Sequence, residues 1–99
     1  MNNGKLRKDN TRRWIVNQRF HRLGGPAYIC PDGTHFWCQQ DKIHRIDGPA
    51  IIFADGGVEW YINDKEITDE VKCWIEDNNI SPWQQWTDGD KLIFRMKFQ

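Results

Sequence analysis

The chain has 99 residues, one domain's worth, and its 14 Lys and Arg balance 14 Asp and Glu; this excludes a globally basic nucleic-acid binder and a globally acidic mimic of nucleic acid. No apolar run approaches the ~20 residues of a membrane span, and the opening MNNGKLRKDN has no apolar stretch of the signal-peptide kind. Three cysteines, an odd number, argue against a disulfide framework, while six tryptophans are a large share for this length. These features predict a small cytoplasmic domain with no membrane partner.

Charge is uneven. Residues 1–25 carry Lys5, Arg7, Lys8, Arg12, Arg13, Arg19 and Arg22 against the single acid Asp9, so the remainder is acidic by the same amount. Residues 1–10 are expected to be a basic flexible arm. It is the one nucleic-acid signal in the chain, and it reads equally as a solvated terminus balancing an acidic body.

Residues 11–67 repeat with a 23-residue period. His21-Arg22-Leu23-Gly24-Gly25-Pro26-Ala27 returns as His44-Arg45-Ile46-Asp47-Gly48-Pro49-Ala50. Asp32-Gly33 returns as Asp55-Gly56, and Trp14, Trp37 and Trp60 are equally spaced. The pattern predicts two full units behind a truncated one. Within a unit, Ala27–Cys30 reads as a strand, Pro31–Thr34 as a turn and His35–Gln39 as the return strand. Ala50–Phe53, Asp55-Gly56 and Val58–Ile62 repeat that pattern. Gln40-Asp41 and Asn63-Asp64 turn the chain again, and Gly-Pro resets it before each new strand. The units therefore predict an antiparallel meander.

With Asp-Gly at the centre of a two-residue loop, Ile51 faces Trp60, Phe53 faces Val58 and Tyr28 faces Trp37. One face then collects Trp14, Val16, Tyr28, Trp37, Ile51, Phe53, Val58, Trp60 and Ile62 as the core. The other carries Ile15, Ile29, Phe36, Ile52 and Tyr61, an apolar patch of the kind that marks an interface unless another segment covers it.

Residues 68–99 differ. Thr68 reads as a helix cap, with Asp69 and Glu70 in the first turn and an apolar stripe of Val71, Trp74 and Ile75. Asn78-Asn79 and Pro82 end that helix. Leu92, Phe94, Met96 and Phe98 alternate with Ile93, Arg95 and Lys97, which reads as a terminal strand, although a short helix also fits. The expected fold is α+β: a meandering antiparallel sheet of repeated hairpins with one C-terminal helix packed on the tryptophan face.

The unit Trp-x-x-Asn-x-Lys-x-His-Arg-x-x-Gly-Pro-Ala…Asp-Gly is similar to repeats in small proteins of tailed phages, which resemble MORN repeats. The likeness covers about Asp9 to Ile67, with Gln18, Asp41 and Asp64 standing where glycine is usual. It implies a single-layer meander that binds protein partners or lipids and does no chemistry, working in the host cytoplasm if phage-encoded.

Among candidate sites, His21-Arg22 and His44-Arg45 combine guanidinium forks with neighbouring aromatics, a combination suited to a nucleotide-type anion. Recurrence in every unit equally fits a scaffold role. Cys30, His35, Cys38 and His44 are zinc-ligand types without zinc-ligand spacing; Cys30 and His35 are expected on one face and Cys38 on the other, and no metal or cofactor is expected. Cys30 with His35 lacks an orienting third group for nucleophilic catalysis. The reading is a non-enzymatic binding protein, a phage accessory or counter-defence factor that blocks a host protein, or pairs with its own copy, through the sheet face. The alternative is a sponge for a nucleotide-type signal held by Arg22 and Arg45.

Overall fold

The computed structural model describes residues 11–99 and the backbone of a strand at Lys5–Leu6. The strands are β1 (Lys5–Leu6), β2 (Arg12–Arg13), β3 (Ile15–Val16), β4 (Arg19–Phe20), β5 (Tyr28–Ile29), β6 (His35–Phe36), β7 (Cys38–Gln39), β8 (Lys42–Ile43), β9 (Ile51–Ile52), β10 (Val58–Glu59), β11 (Tyr61–Ile62) and β12 (Lys65–Glu66). Two helices follow, α1 (Thr68–Asp77) and α2 (Asp88–Phe98), joined through a short 3-10 turn at Trp83–Gln85. The strands form a six-stranded antiparallel sheet in the order β1-β2-β5-β6-β9-β10, flanked by the hairpins β3-β4, β7-β8 and β11-β12. The α+β meander with C-terminal helix is therefore the observed architecture.

Two turn chemistries alternate along the meander. At Asn17-Gln18, Gln40-Asp41 and Asn63-Asp64 both residues have left-handed φ, between 48° and 69°. With strand pairs Val16–Arg19, Gln39–Lys42 and Ile62–Lys65 closing around them, these are two-residue loops in the mirror-image turn that matches strand twist. The Asp-Gly turns are longer by one residue. The Cys30 N–H donates to the Thr34 carbonyl at 2.9 Å and the Phe53 N–H to the Gly57 carbonyl at 2.8 Å. Gly33 and Gly56 take φ of 97° and 94°, which an L side chain rarely adopts. Asp32 and Asp55 each accept, at 2.9 Å, from the N–H two residues on, an Asx turn that explains the choice of aspartate.

That extra residue corrects the expected register. Ile51 pairs with Glu59 and Ile52 with Val58, while Tyr28 pairs with Phe36 and Ile29 with His35. A one-residue slip moves a strand's side chains to the opposite face. Tyr28, Phe36 and Ile51 therefore share one face, and Ile29, His35, Ile52 and Val58 share the other.

The truncated unit in front also contributes a strand. Lys5 and Leu6 pair with Arg13 and Arg12, so β1 stands one period before β5 and two before β9. The expected arm thus supplies an edge strand; the rest of residues 1–10 lies outside the described residues.

The C-terminal segment closes the array. Ile67 and Thr68 stand where a third His-Arg pair would fall, and the Ile67 N–H still donates to Trp60 O at 2.8 Å, as His44 does to Trp37 O at 3.0 Å. The expected cap is displaced: Thr68 is the first helical residue, its hydroxyl accepting from Trp60 N–H and donating to Glu66. Val71 and Trp74 are buried. Asn78 ends α1, and Asn79 takes a φ of 51°. The expected terminal strand is instead α2, started by a reciprocal cap in which Thr87 Oγ1 accepts from Asp90 N–H and Asp90 Oδ2 from Thr87 N–H. Trp60, Ile62, Ile67, Val71, Trp74, Trp86 and Phe94 form the main core. A second buried cluster, Trp14, Ala27 and Cys38, lies within the repeats.

Candidate functional site

The His-Arg corners hold successive units together. His21 Nδ1 accepts from the Gln40 N–H at 3.1 Å, and His44 Nδ1 accepts from the Asn63 N–H at 3.0 Å. The Arg22 guanidinium lies 4.1 Å from the Trp14 ring centroid and Arg45 lies 3.9 Å from that of Trp37. Each then donates through Nη1 to the proline carbonyl of its own unit, Pro26 at 3.3 Å and Pro49 at 3.1 Å. Gly25 and Gly48 leave room for this crossing, since a Cβ there would sit 2.9 and 2.8 Å from the guanidinium carbon. Ala27 and Ala50 are wholly buried. The His-Arg-x-x-Gly-Pro-Ala motif is thus one packed corner, with each residue type accounted for. Arg45 has an added ion pair with Asp47 at 2.9 Å and a second ring, Trp83, at 5.4 Å. Gly24, at the matching position of the unit before, gives Arg22 no such partner.

The aspartates of two of these turns also join successive units. Asp41 accepts the Phe20 N–H at 2.6 Å and returns its own N–H to the Phe20 carbonyl at 2.9 Å. Asp64 does the same to Ile43, at 2.6 and 2.9 Å. Each carboxylate thereby satisfies the outward backbone of the preceding hairpin, at the cost of a left-handed φ that aspartate tolerates.

The His44 joint makes stability pH-dependent. Burial pushes the His44 pKa below its ordinary value of 6.5, and a protonated Nδ1 could not accept from Asn63. The unfolded chain binds the proton more readily, so His44's contribution is present above pH 6.5 and is lost as pH falls through the folded value. Denaturant midpoints should decline from pH 7.5 to 5.5, and His44→Asn should flatten that decline.

The expected interface residues do not gather on one patch. Phe36 lies on one face of the sheet, with Ile29 and Ile52 on the other. Ile15 is 47% exposed in the first side hairpin, and Tyr61 sits in the last, its hydroxyl 3.4 Å from Glu59. What the corrected register assembles is an apolar trough of about 540 Å³ lined by Arg13, Phe20, Tyr28, Phe36, Cys38, Asp41 and Ile43. Tyr28 is its centre, with ring centroids 5.6 Å from Phe20 and 5.8 Å from Phe36. No residue of α1 or α2 lines it, because Trp60 and Ile62, which the helices cover, alternate to the side away from Glu59 and Tyr61. Of the trough's residues only Phe36 belonged to the expected patch. The signal for the rest was the loop length, which Gly after Asp permits in either turn.

Cys30 and Cys38 are both held toward the thiol form. Burial, reinforced by the charges of Asp64 and Asp41, pushes the Cys38 thiol up to about 11. Burial and Asp32 also raise Cys30, and a raised pKa leaves little thiolate. Correcting the expectation, Cys30 alternates to the Phe36 side with Cys38, while His35 points the other way beside Trp37, ring centroids 6.0 Å apart. Among the described residues no three His, Cys, Asp or Glu side chains come together as a metal site, and no helix is long and apolar enough to cross a membrane.

Fold and site together define a repeat-built antiparallel sheet, held by Arg–Trp corners and closed at one end by a helical cap. The sequence matches no protein-family model, and comparison with curated proteins and with solved structures finds no significant match.

Proposed function

We propose that the chain is a non-enzymatic binding protein whose contact surface is the Phe20–Tyr28–Phe36–Ile43 trough. The observation that carries this reading is a row of aromatic side chains on the sheet face that the helices leave uncovered. Aromatic clusters in a shallow apolar depression are the surfaces protein partners use as anchors. The resemblance to phage repeat proteins supports a setting as a phage accessory or counter-defence factor acting on a host protein. The anion-sponge alternative has less support, because His21 and His44 each commit Nδ1, and Arg22 and Arg45 each commit Nη1, to bonds inside the fold.

Capture from host lysate with three variants tests the reading. Phe36→Asp should abolish capture of the partner with circular dichroism unchanged, whereas Ile52→Asp, on the opposite face, should retain it. Arg45→Ala should also retain capture while lowering the melting temperature by several degrees, since a desolvated cation–π contact and a charged hydrogen bond are lost. Equal capture by all variants sinks the trough reading. Calorimetric binding of nucleotides that vanishes in Arg45→Ala would establish the sponge instead.

A further inference from the structure

We infer that the trough takes a short acidic–apolar segment of a partner protein: one aromatic or aliphatic side chain seated among Phe20, Tyr28, Phe36 and Ile43, with an adjacent Asp or Glu carboxylate on the Arg13 guanidinium. The inference rests on the trough being the contact surface and adds the chemistry of what it binds.

Arg13 is the residue that selects the charge. Its guanidinium carbon lies 5.7 Å from the Tyr28 ring centroid, so the cation sits on the aromatic floor. Among the described residues its Nε has no hydrogen-bond partner. Arg22 and Arg45 differ: they also pack on aromatic rings, those of Trp14 and Trp37, but both donate to a proline carbonyl. Arg13 lines the trough, and a carboxylate is the acceptor whose geometry best fits a guanidinium fork. Among the residues that line the trough Arg13 is the one cation, since Arg12 pairs with Ile29 on the opposite face and Arg22 is spent on Trp14 and the Pro26 carbonyl.

A second charged residue of the lining orients the segment. Asp41 lines the trough, with one carboxylate oxygen on the Phe20 N–H. A partner carboxylate beside Asp41 meets like charge, so the acid of the segment belongs on Arg13 and its apolar side chain on the aromatic walls. One unpaired guanidinium, one carboxylate and several apolar walls match a single acid beside a single apolar group. A polyphosphate needs several converging donors, which this face does not offer.

Panning a displayed library of random nonapeptides against the folded full chain, then measuring enriched peptides by fluorescence anisotropy, tests this. Enriched peptides should place Asp or Glu within three positions of an aromatic or aliphatic residue. Their affinity should fall as salt is raised, and it should weaken about ten- to a hundred-fold in Arg13→Gln, with partial recovery in Arg13→Lys. Enriched peptides that lack acids, or that bind Arg13→Gln as tightly as the parent, overturn the acidic assignment; the trough still stands as the surface if Phe36→Asp abolishes their binding. No enrichment, or binding that ignores both Arg13 and Phe36, overturns both. Should Arg13→Gln fail to fold, the salt dependence of the parent decides, and an affinity indifferent to salt overturns the inference.

Discussion

Trp60→Ala is expected to cost about 3–5 kcal/mol, the usual range for truncating a buried aromatic side chain. Trp60 is 3% exposed, with the rings of Trp86 and Phe94 at 5.4 and 5.3 Å. It is where the repeats meet the helical cap, so its loss empties the joint between the two halves of the core. A domain of this length has a total stability on the order of 5–15 kcal/mol, so the variant should keep little reserve and melt at least about 12 °C lower. Trp37 is only half-buried, one side covered by the Arg45 guanidinium. Trp37→Ala is therefore expected to cost less than Trp60→Ala, although the repeat makes the two positions equivalent in sequence. Paired melting curves check this, and equal losses would mean that the cap contributes nothing at Trp60.

Phe94→Ala should be comparably damaging, again roughly 3–5 kcal/mol, and it is most informative beside Met96→Ala. Phe94 is fully buried and touches Trp60, Trp74, Trp86 and Phe98, with centroids from 5.1 to 6.1 Å. Met96, two residues on, is 77% exposed. In a strand the two side chains would share a face and both truncations would hurt. In α2 they stand about 200° apart around the axis, so Met96→Ala should leave the melting temperature within a degree or two. A large loss in both would show that residues 90–98 are extended.

The same pair shows why that segment was hard to read. Leu92, Phe94, Met96 and Phe98 alternate as a strand would, yet Leu92 is 51% exposed and Phe98 half-buried. The alternation is coincidental, because α2 needs only Phe94 and Phe98, one turn apart, to reach the core. A better local signal was Thr87-x-x-Asp90, whose side chains close a reciprocal cap and commit the chain to a helix before its apolar residues are reached.

What the amino-acid sequence determined by itself is the repeat and its punctuation. The period, the two alternating turns, the proline at each strand start and the amphipathic stripe of α1 are local or periodic features, and each survives folding as a hairpin, a reset or a buried face. Position-by-position recurrence also showed that His-Arg-x-x-Gly-Pro-Ala acts as a unit. Its role was decided only in three dimensions, because a guanidinium between a tryptophan and a glycine, closing onto a proline carbonyl, joins residues from successive strands. The faces were likewise decided by tertiary structure. Whether an Asp-Gly turn holds two or three residues is a choice of backbone geometry, settled here by the Asx bond and by inter-unit pairing, and one residue of loop carries a whole strand to the other side of the sheet. That step separated Phe36 from Ile29 and Ile52 and brought Tyr28 beside Arg13, making a trough from residues that strand alternation alone had divided between two faces.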